Sequence, residues 1–202
     1  MLIREISNLL NFELVSAEGI PEVTYQYRSI KEALVGELPE NILESIPKSY
    51  DIIGKIAIVE FDQMNILNDK KILSYKKKIA KALVNVNKSV ETVYEKKSEV
   101  KGKFRLKELK IIYGDDNPET IHKENGCLFK LDVKSTYFTP RLVFERKRVS
   151  SSNFKKQEII VDMFTGVGPF SIQIAKNNDA KIYAFDVNPS AYKYLIENIE
   201  NN

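Results

Sequence analysis

Apolar residues recur at Ile72, Tyr75, Ile79, Ala82, Leu83 and Val86, and lysines fill many of the positions between them. That is helical spacing, so 70–87 is expected to form a helix with one buried stripe and a lysine face. The runs Ile52–Ile53 and Ile56–Phe61, split by Gly54, predict two strands. "SVETVYEKK" and "ELKIIYG" predict two more, with the glycines of "VKGKFR" and "YGDDNPET" marking turns. "CLFKLDVKSTYFT" alternates apolar and polar positions, as a half-buried strand does. A short helical pattern in "PENILESIPKSY" is stopped at Pro47. After Pro140, "RLVFERKRVSS" reads as a helix with its basic residues crowded where they suit the helix dipole. "SSSNFKKQ" reads as a linker.

From Glu158 the pattern becomes strand, glycine turn, helix ("PFSIQIAKNN"), strand ("AKIYAFDV") and helix ("PSAYKYLIENIENN"). That is the opening β-α-β-α of a doubly wound parallel sheet. The expected fold class is α/β, a small α+β unit followed by an incomplete, Rossmann-like doubly wound sheet. Three segments are expected: a helix-and-linker lead over 1–48, broken by Pro21, Pro39 and Pro47; the α+β unit over 49–152; and the partial doubly wound unit over 153–202.

Charge sharpens the picture. Between Lys70 and Lys110 stand 14 Lys/Arg and four Glu, a local excess of +10 in a chain of net charge +3, which leaves −7 elsewhere. A basic block in an acidic remainder is the footprint of a polyanion, RNA foremost, although a solvated lysine face without a partner has the same composition. No apolar run approaches the roughly 18 residues that span a bilayer. The N-terminal "MLIREISNLLNFELVSAEG" lacks the marks of a signal peptide. A single cysteine, Cys127, cannot form an internal disulfide and fits a reducing cytoplasm. With one cysteine and one histidine (His122), the chain cannot build a Cys/His zinc cluster of its own, and no metal is expected.

The candidate chemistry lies in "VDMFTGVGPFSIQIAK". Gly166 and Gly168 form the strand-to-helix turn, and Asp186 ends the second strand, placed to take ribose hydroxyls. A dinucleotide would want a third glycine where Ser171 stands and a free amide where Pro169 stands, and Asp162 would repel its pyrophosphate. S-adenosylmethionine carries no phosphate and bears positive groups that suit Asp162. A glycine turn without a ligand remains the alternative at this point.

"VDMFTGVGPFSI", followed by "AFDVNPSA", closely resembles the archaeal and eukaryotic tRNA methyltransferases that act on N1 of guanosine 37, beside the anticodon. The blocks "SYDIIGKIAI", "SEVKGKFRLKEL", "TIHKENG" and "VKSTYFTPRLVFERKR" follow that family's order, so the resemblance covers roughly residues 49–202. It implies S-adenosylmethionine as cofactor, tRNA as partner, and a tRNA-handling domain over 49–152 that carries catalytic residues. Two departures accompany it. The family's additional N-terminal domain has no counterpart in 1–48, and an Asn-Leu-Pro type motif is absent. The chain is therefore expected to be truncated, to turn over little alone, and to be monomeric in full-length form.

Methylating guanine N1 needs a base for its proton and positive charge near O6. The resemblance implies Glu145 as the base and Arg105, read as part of a lysine-rich strand, as the O6 stabiliser. It implies Phe164 as an apolar wall, Gly166 and Gly168 as close-approach glycines, Asp186 on the ribose, and Asn188 and Pro189 at the adenine edge. Tyr137 and Arg141 would line the methionine end. RNA contact falls to Lys101, Lys103, Lys107 and Lys123, with the lysine face of 70–81 as a wider field, and His122 to structure or RNA contact. Two other functions share this scaffold: aminocarboxypropyl or methyl transfer in the wybutosine pathway, and non-catalytic tRNA binding.

Overall fold

A computed structural model describes residues 27–66, 70–99 and 102–202. Most of the expected lead, and Lys101, lie outside them.

The first layer is a four-stranded sheet in the order β1-β2-β3-β4. β1 (Tyr50–Ile53) and β2 (Ile56–Val59) form an antiparallel hairpin around Gly54. The short helices α1 (Glu40–Glu44) and α2 (Asp62–Asn65) flank them in sequence. The predicted lysine-rich helix is α3 (Ile72–Val86), and it crosses over to β3 (Thr92–Lys96), which runs parallel to β2. β4 (Leu109–Tyr113) returns antiparallel to β3.

Strand periodicity divides the sheet between two cores. Ala57, Val59 and Val93 face α3 and share a buried cluster with Ile79 and Leu83. Ile30, Leu34, Leu38, Ile42 and Ile46 belong to that same cluster, so the lead packs on the sheet from Ile30 onward. The alternate residues Ile56, Ile58 and Tyr94 face the other way, into a second cluster with Phe129, Leu131, Phe138, Ile172 and Leu195. Lys76 departs from the expected solvated lysine face. It is buried, and its Nζ lies 2.6 Å from Glu95 Oε1 and 2.5 Å from Asn65 Oδ1.

The second cluster is roofed by a hairpin of β5 (Glu119–Glu124) and β6 (Cys127–Asp132). β6 was expected from its alternation. β5 was not, because "ETIHKE" is almost wholly polar and its strand form rests on pairing with β6. A 3-10 turn at Pro140–Leu142 leads into α4 (Val143–Ser150). Then come β7 (Glu158–Asp162), α5 (Pro169–Asn177), β8 (Ala180–Ala184) and α6 (Pro189–Glu200). β7 and β8 pair in parallel, with Asp162 opposite Ala184, as the α/β reading requires.

α6 lies on β6, and Asn198 of the helix and Asn202 just beyond its end serve the edge of that strand. Asn198 takes the Lys130 amide at 2.7 Å and donates to the Lys130 and Val167 carbonyls, each at 3.0 Å. Asn202 pairs with the Leu128 backbone in the same way. These amides stand in for a neighbouring strand and satisfy a sheet edge that would otherwise be open.

Candidate active site

The loops after β7 and β8 are cinched together. Thr165 donates its amide to the Phe185 carbonyl at 2.9 Å, and Phe185 donates to the Asp162 carbonyl at 2.8 Å. Asp186 accepts the Gly166 amide on one oxygen and the Asn188 amide on the other, both at 2.8 Å. Asp162 accepts the Ser171 hydroxyl at 2.7 Å. The result is a crevice at the carboxyl ends of parallel strands, where α/β sheets bind ligands.

The two glycines differ in role. At Gly166 (φ +57°) a Cβ would meet only the Tyr137 carbonyl oxygen, at 3.7 Å, so the backbone there is open to an approaching group. At Gly168 (φ +92°) a Cβ would lie 2.7 Å from Leu195 Cδ1 and 2.8 Å from Ile172 Cδ1. Gly168 is thus buried against α5 and α6, and of the two glycines Gly166 has the open space beside it.

Asn188 is buried with its amide in use, donating to the Ser135 carbonyl at 2.7 Å and accepting the Ser190 amide at 3.0 Å as the cap of α6. Pro189 occupies the first turn of that helix. Phe164 is 82% exposed beside the glycine loop, where core packing would have hidden it. Asp162 and Asp186 keep free lone pairs after their internal hydrogen bonds, and Phe164 offers an apolar surface. Those acceptors and that apolar surface fit a cationic nucleoside such as S-adenosylmethionine.

Segment 135–141 lies against these loops through the Asn188–Ser135 bond and the approach of Tyr137 to Gly166. The Arg105 guanidinium stands 5.6 Å from the Tyr137 ring centre. Arg105 is not on a strand, as expected, but in a turn closed by its amide on the Gly102 carbonyl, at φ +54°. A non-glycine residue in that region is strained by about 1–2 kcal/mol.

Glu145, in the first turn of α4, is half-exposed and receives Arg148 Nη2 at 2.6 Å and Nε at 2.8 Å. The Arg148 hydrogen bond holds its carboxyl below the usual range. The adjacent Arg146 points inward, forms a two-pronged pair with Glu124, and donates to the Thr139 carbonyl at 3.0 Å. Gln173 of α5 donates to the same carboxylate at 2.8 Å. His122 is tied into the fold: its Nδ1 accepts the Gly54 amide at 3.2 Å, and its Nε2 faces Glu124 at 3.6 Å.

Among the expected RNA contacts, Lys103 and Lys123 are exposed. Lys107 is not, with its side chain 15% accessible and its Nζ 3.8 Å from Asp51. Arg141 also reaches Asp51, through Nε at 2.7 Å. Sequence reading passed over Asp51, although a lone carboxylate in the apolar run "YDIIG" was the available signal.

A family model described as the TRM5/TYW2 methyltransferase domain matches residues 120–202, and one described as the TYW2 N-terminal domain matches residues 30–117. The chain is 43% identical over 191 residues to the tRNA (guanine(37)-N(1))-methyltransferase Trm5b of Pyrococcus abyssi, covering 95% of this chain and 54% of that protein. The chain thus spans little more than half the length of the curated relatives it matches. It is similar to the solved complex of aTrm5 and tRNALeu (TM-score 0.73, 36% identity, 98% of this chain and 57% of that one). It is also similar to P. horikoshii TYW2 in complex with MeSAdo (TM-score 0.63, 34% identity, 85% of this chain and 57% of that one).

Proposed function

We propose, since this chain belongs to the TRM5/TYW2 methyltransferase family, that it carries the cofactor loops and base-handling residues for methyl transfer to N1 of guanosine 37 in tRNA. The observation that carries this reading is the contact of segment 135–141 with the loops after β7 and β8, which brings Tyr137 to Gly166 beside Arg105.

Asp186 would hold the ribose of S-adenosylmethionine, with Asp162 and Phe164 beside it, and the bound cofactor would supply the methyl group. Glu145 takes the N1 proton once it parts from Arg148, an effect worth about 10²–10⁴-fold in a typical general base. Arg105 holds the negative charge that develops on O6. Lys103 and Lys123 meet backbone phosphates. The free, buried Cys127 fits work in a reducing cytoplasm, and among the described residues no helix is long and apolar enough to cross a membrane.

A second reading, transfer of the aminocarboxypropyl group, is favoured by the match of residues 30–117 to a TYW2 N-terminal domain. One experiment tests both. Under single turnover, with protein in excess, tRNA transcripts bearing G37 or A37 are given S-adenosylmethionine labelled either in the methyl or in the carboxyl carbon. Methyl label on the G37 transcript alone is expected. Carboxyl label on tRNA would establish the second reading, and tRNA binding with neither label would leave only a binding function.

A further inference from the structure

Asp51 belongs to β1, in the first layer, yet its side chain reaches out of that layer. It is 11% accessible and lies between two cations brought from distant parts of the chain. Oδ1 accepts Arg141 Nε at 2.7 Å, and Oδ2 stands 3.8 Å from Lys107 Nζ. The Arg141 side chain is 66% accessible, so Asp51 holds its Nε while much of the side chain stays exposed.

The three groups sit where two hollows meet. A cleft of about 430 Å³ has Tyr50, Asp51, Gln63, Lys107 and Arg141 in its wall. A narrow crevice lined by Arg105, Lys107, Tyr137 and Phe138 adjoins it, and Ile58 and Lys107 border both. Arg141 is the middle residue of the 3-10 turn that feeds α4 and therefore Glu145. Lys107 lies two residues past Arg105, at the end of the strained turn.

We propose that Asp51 is a positioning residue for the transfer reaction, fixing Arg141 and Lys107 at this junction and, through them, the turns that carry Glu145 and Arg105. It touches neither base nor cofactor. This rests on the methyl-transfer reading for its consequence, but not for the contact itself. The Nε bond is short and charge-assisted, which is why Asp51 outranks the other acids of the cleft. The groups acting on the Lys107 amine are its own burial, which lowers its pKa, then Asp51, which raises it, Lys96 and Arg141, which lower it, and Glu60, which raises it.

The test has two arms. In the 202-residue chain, acetylation of each lysine by acetic anhydride at pH 8.5 is followed by mass spectrometry, comparing wild type with Asp51→Asn and Asp51→Glu. Loss of the Asp51 charge lowers the Lys107 pKa further, so Lys107 should react severalfold faster in Asp51→Asn and return towards wild type in Asp51→Glu, with Lys55 unchanged as reference. An unchanged Lys107 rate overturns the proposal. In the second arm, single-turnover methyl transfer should fall roughly 10–100-fold in Asp51→Asn, a loss typical of misplaced reacting groups, with cofactor and tRNA affinities within about twofold. An unaltered rate in an active protein overturns the positioning role. If wild type transfers no methyl group, the lysine chemistry alone decides whether Asp51 holds the two cations.

Discussion

Arg146 and Glu124 close on each other through two parallel bonds, Nε to Oε1 and Nη2 to Oε2, each 2.5 Å long, and both side chains are 2% accessible. The pair joins α4 to β5, and Gln173 adds α5 to the same carboxylate. It turns Arg146 inward and leaves its neighbour Glu145 facing out. Removing one partner strands a buried charge, so Glu124→Ala should cost about 3–5 kcal/mol in urea unfolding. Replacing both by well-packed apolar residues should cost far less.

The same pair predicts an acid limb in stability. Burial by itself would raise the Glu124 carboxyl, but hydrogen bonds from Arg146, His122 and Gln173 overcome it and hold it at about 2. The folded value lies below the unfolded one, near 4.3. The contribution is therefore complete above that value and is lost as pH falls towards about 2. Urea midpoints measured from pH 6 to pH 2.5 should fall less steeply in Glu124→Gln than in wild type.

Arg148 holds Glu145 in its ionised form through hydrogen bonds and lowers its pKa. Arg148→Ala should raise that pKa, so the acid limb of the methyl-transfer pH profile should move to higher pH. Arg148→Lys should shift it less. An unmoved limb in Arg148→Ala would show that Glu145 does not set the profile.

Asn198→Leu leaves the Lys130 amide and the Lys130 and Val167 carbonyls without their partner. Unpaired buried groups cost about 1–3 kcal/mol, so loss of stability in that range is expected. Hydrogen exchange at the Lys130 amide should accelerate more than at the Tyr94 amide, on the other sheet.

The two glycines of the turn should separate on substitution. Gly168→Ala combines a left-handed backbone with contacts to Leu195 and Ile172, and should cost roughly 1–3 kcal/mol of stability. Gly166→Ala meets open space and should cost only about 1–2 kcal/mol of backbone strain. Its larger effect should be on S-adenosylmethionine binding, read by calorimetry.

tRNA binding should weaken steeply with salt. Each of Lys103→Gln and Lys123→Gln should reduce the slope of log affinity against log salt by roughly 0.7–0.9 if it removes a phosphate contact. Lys76→Gln should leave the slope alone, because that lysine is buried against Glu95.

The helices α3, α5 and α6, the start of β6 and the parallel β7–β8 unit were legible because periodicity and turn chemistry are local, whereas β6 stops at Asp132, short of the expected run through "STYFT". The family resemblance was legible for a related reason: its blocks are contiguous in the chain. β5 was hidden, since a polar strand owes its form to its partner. Arg105 was assigned to a strand because nothing in "GKFRLKEL" marks a left-handed residue.

Residue type and spacing alone thus established the α/β class, the glycine turn with its paired Asp186, and the basic block. Tertiary structure decided which lysines are free and which glycine faces open space. It also decided that Asp51, 90 residues before Arg141, would hold it. Charge and periodicity are properties of neighbouring residues. Burial, hydrogen-bond occupancy and the direction in which a side chain points depend on what the rest of the chain packs against it.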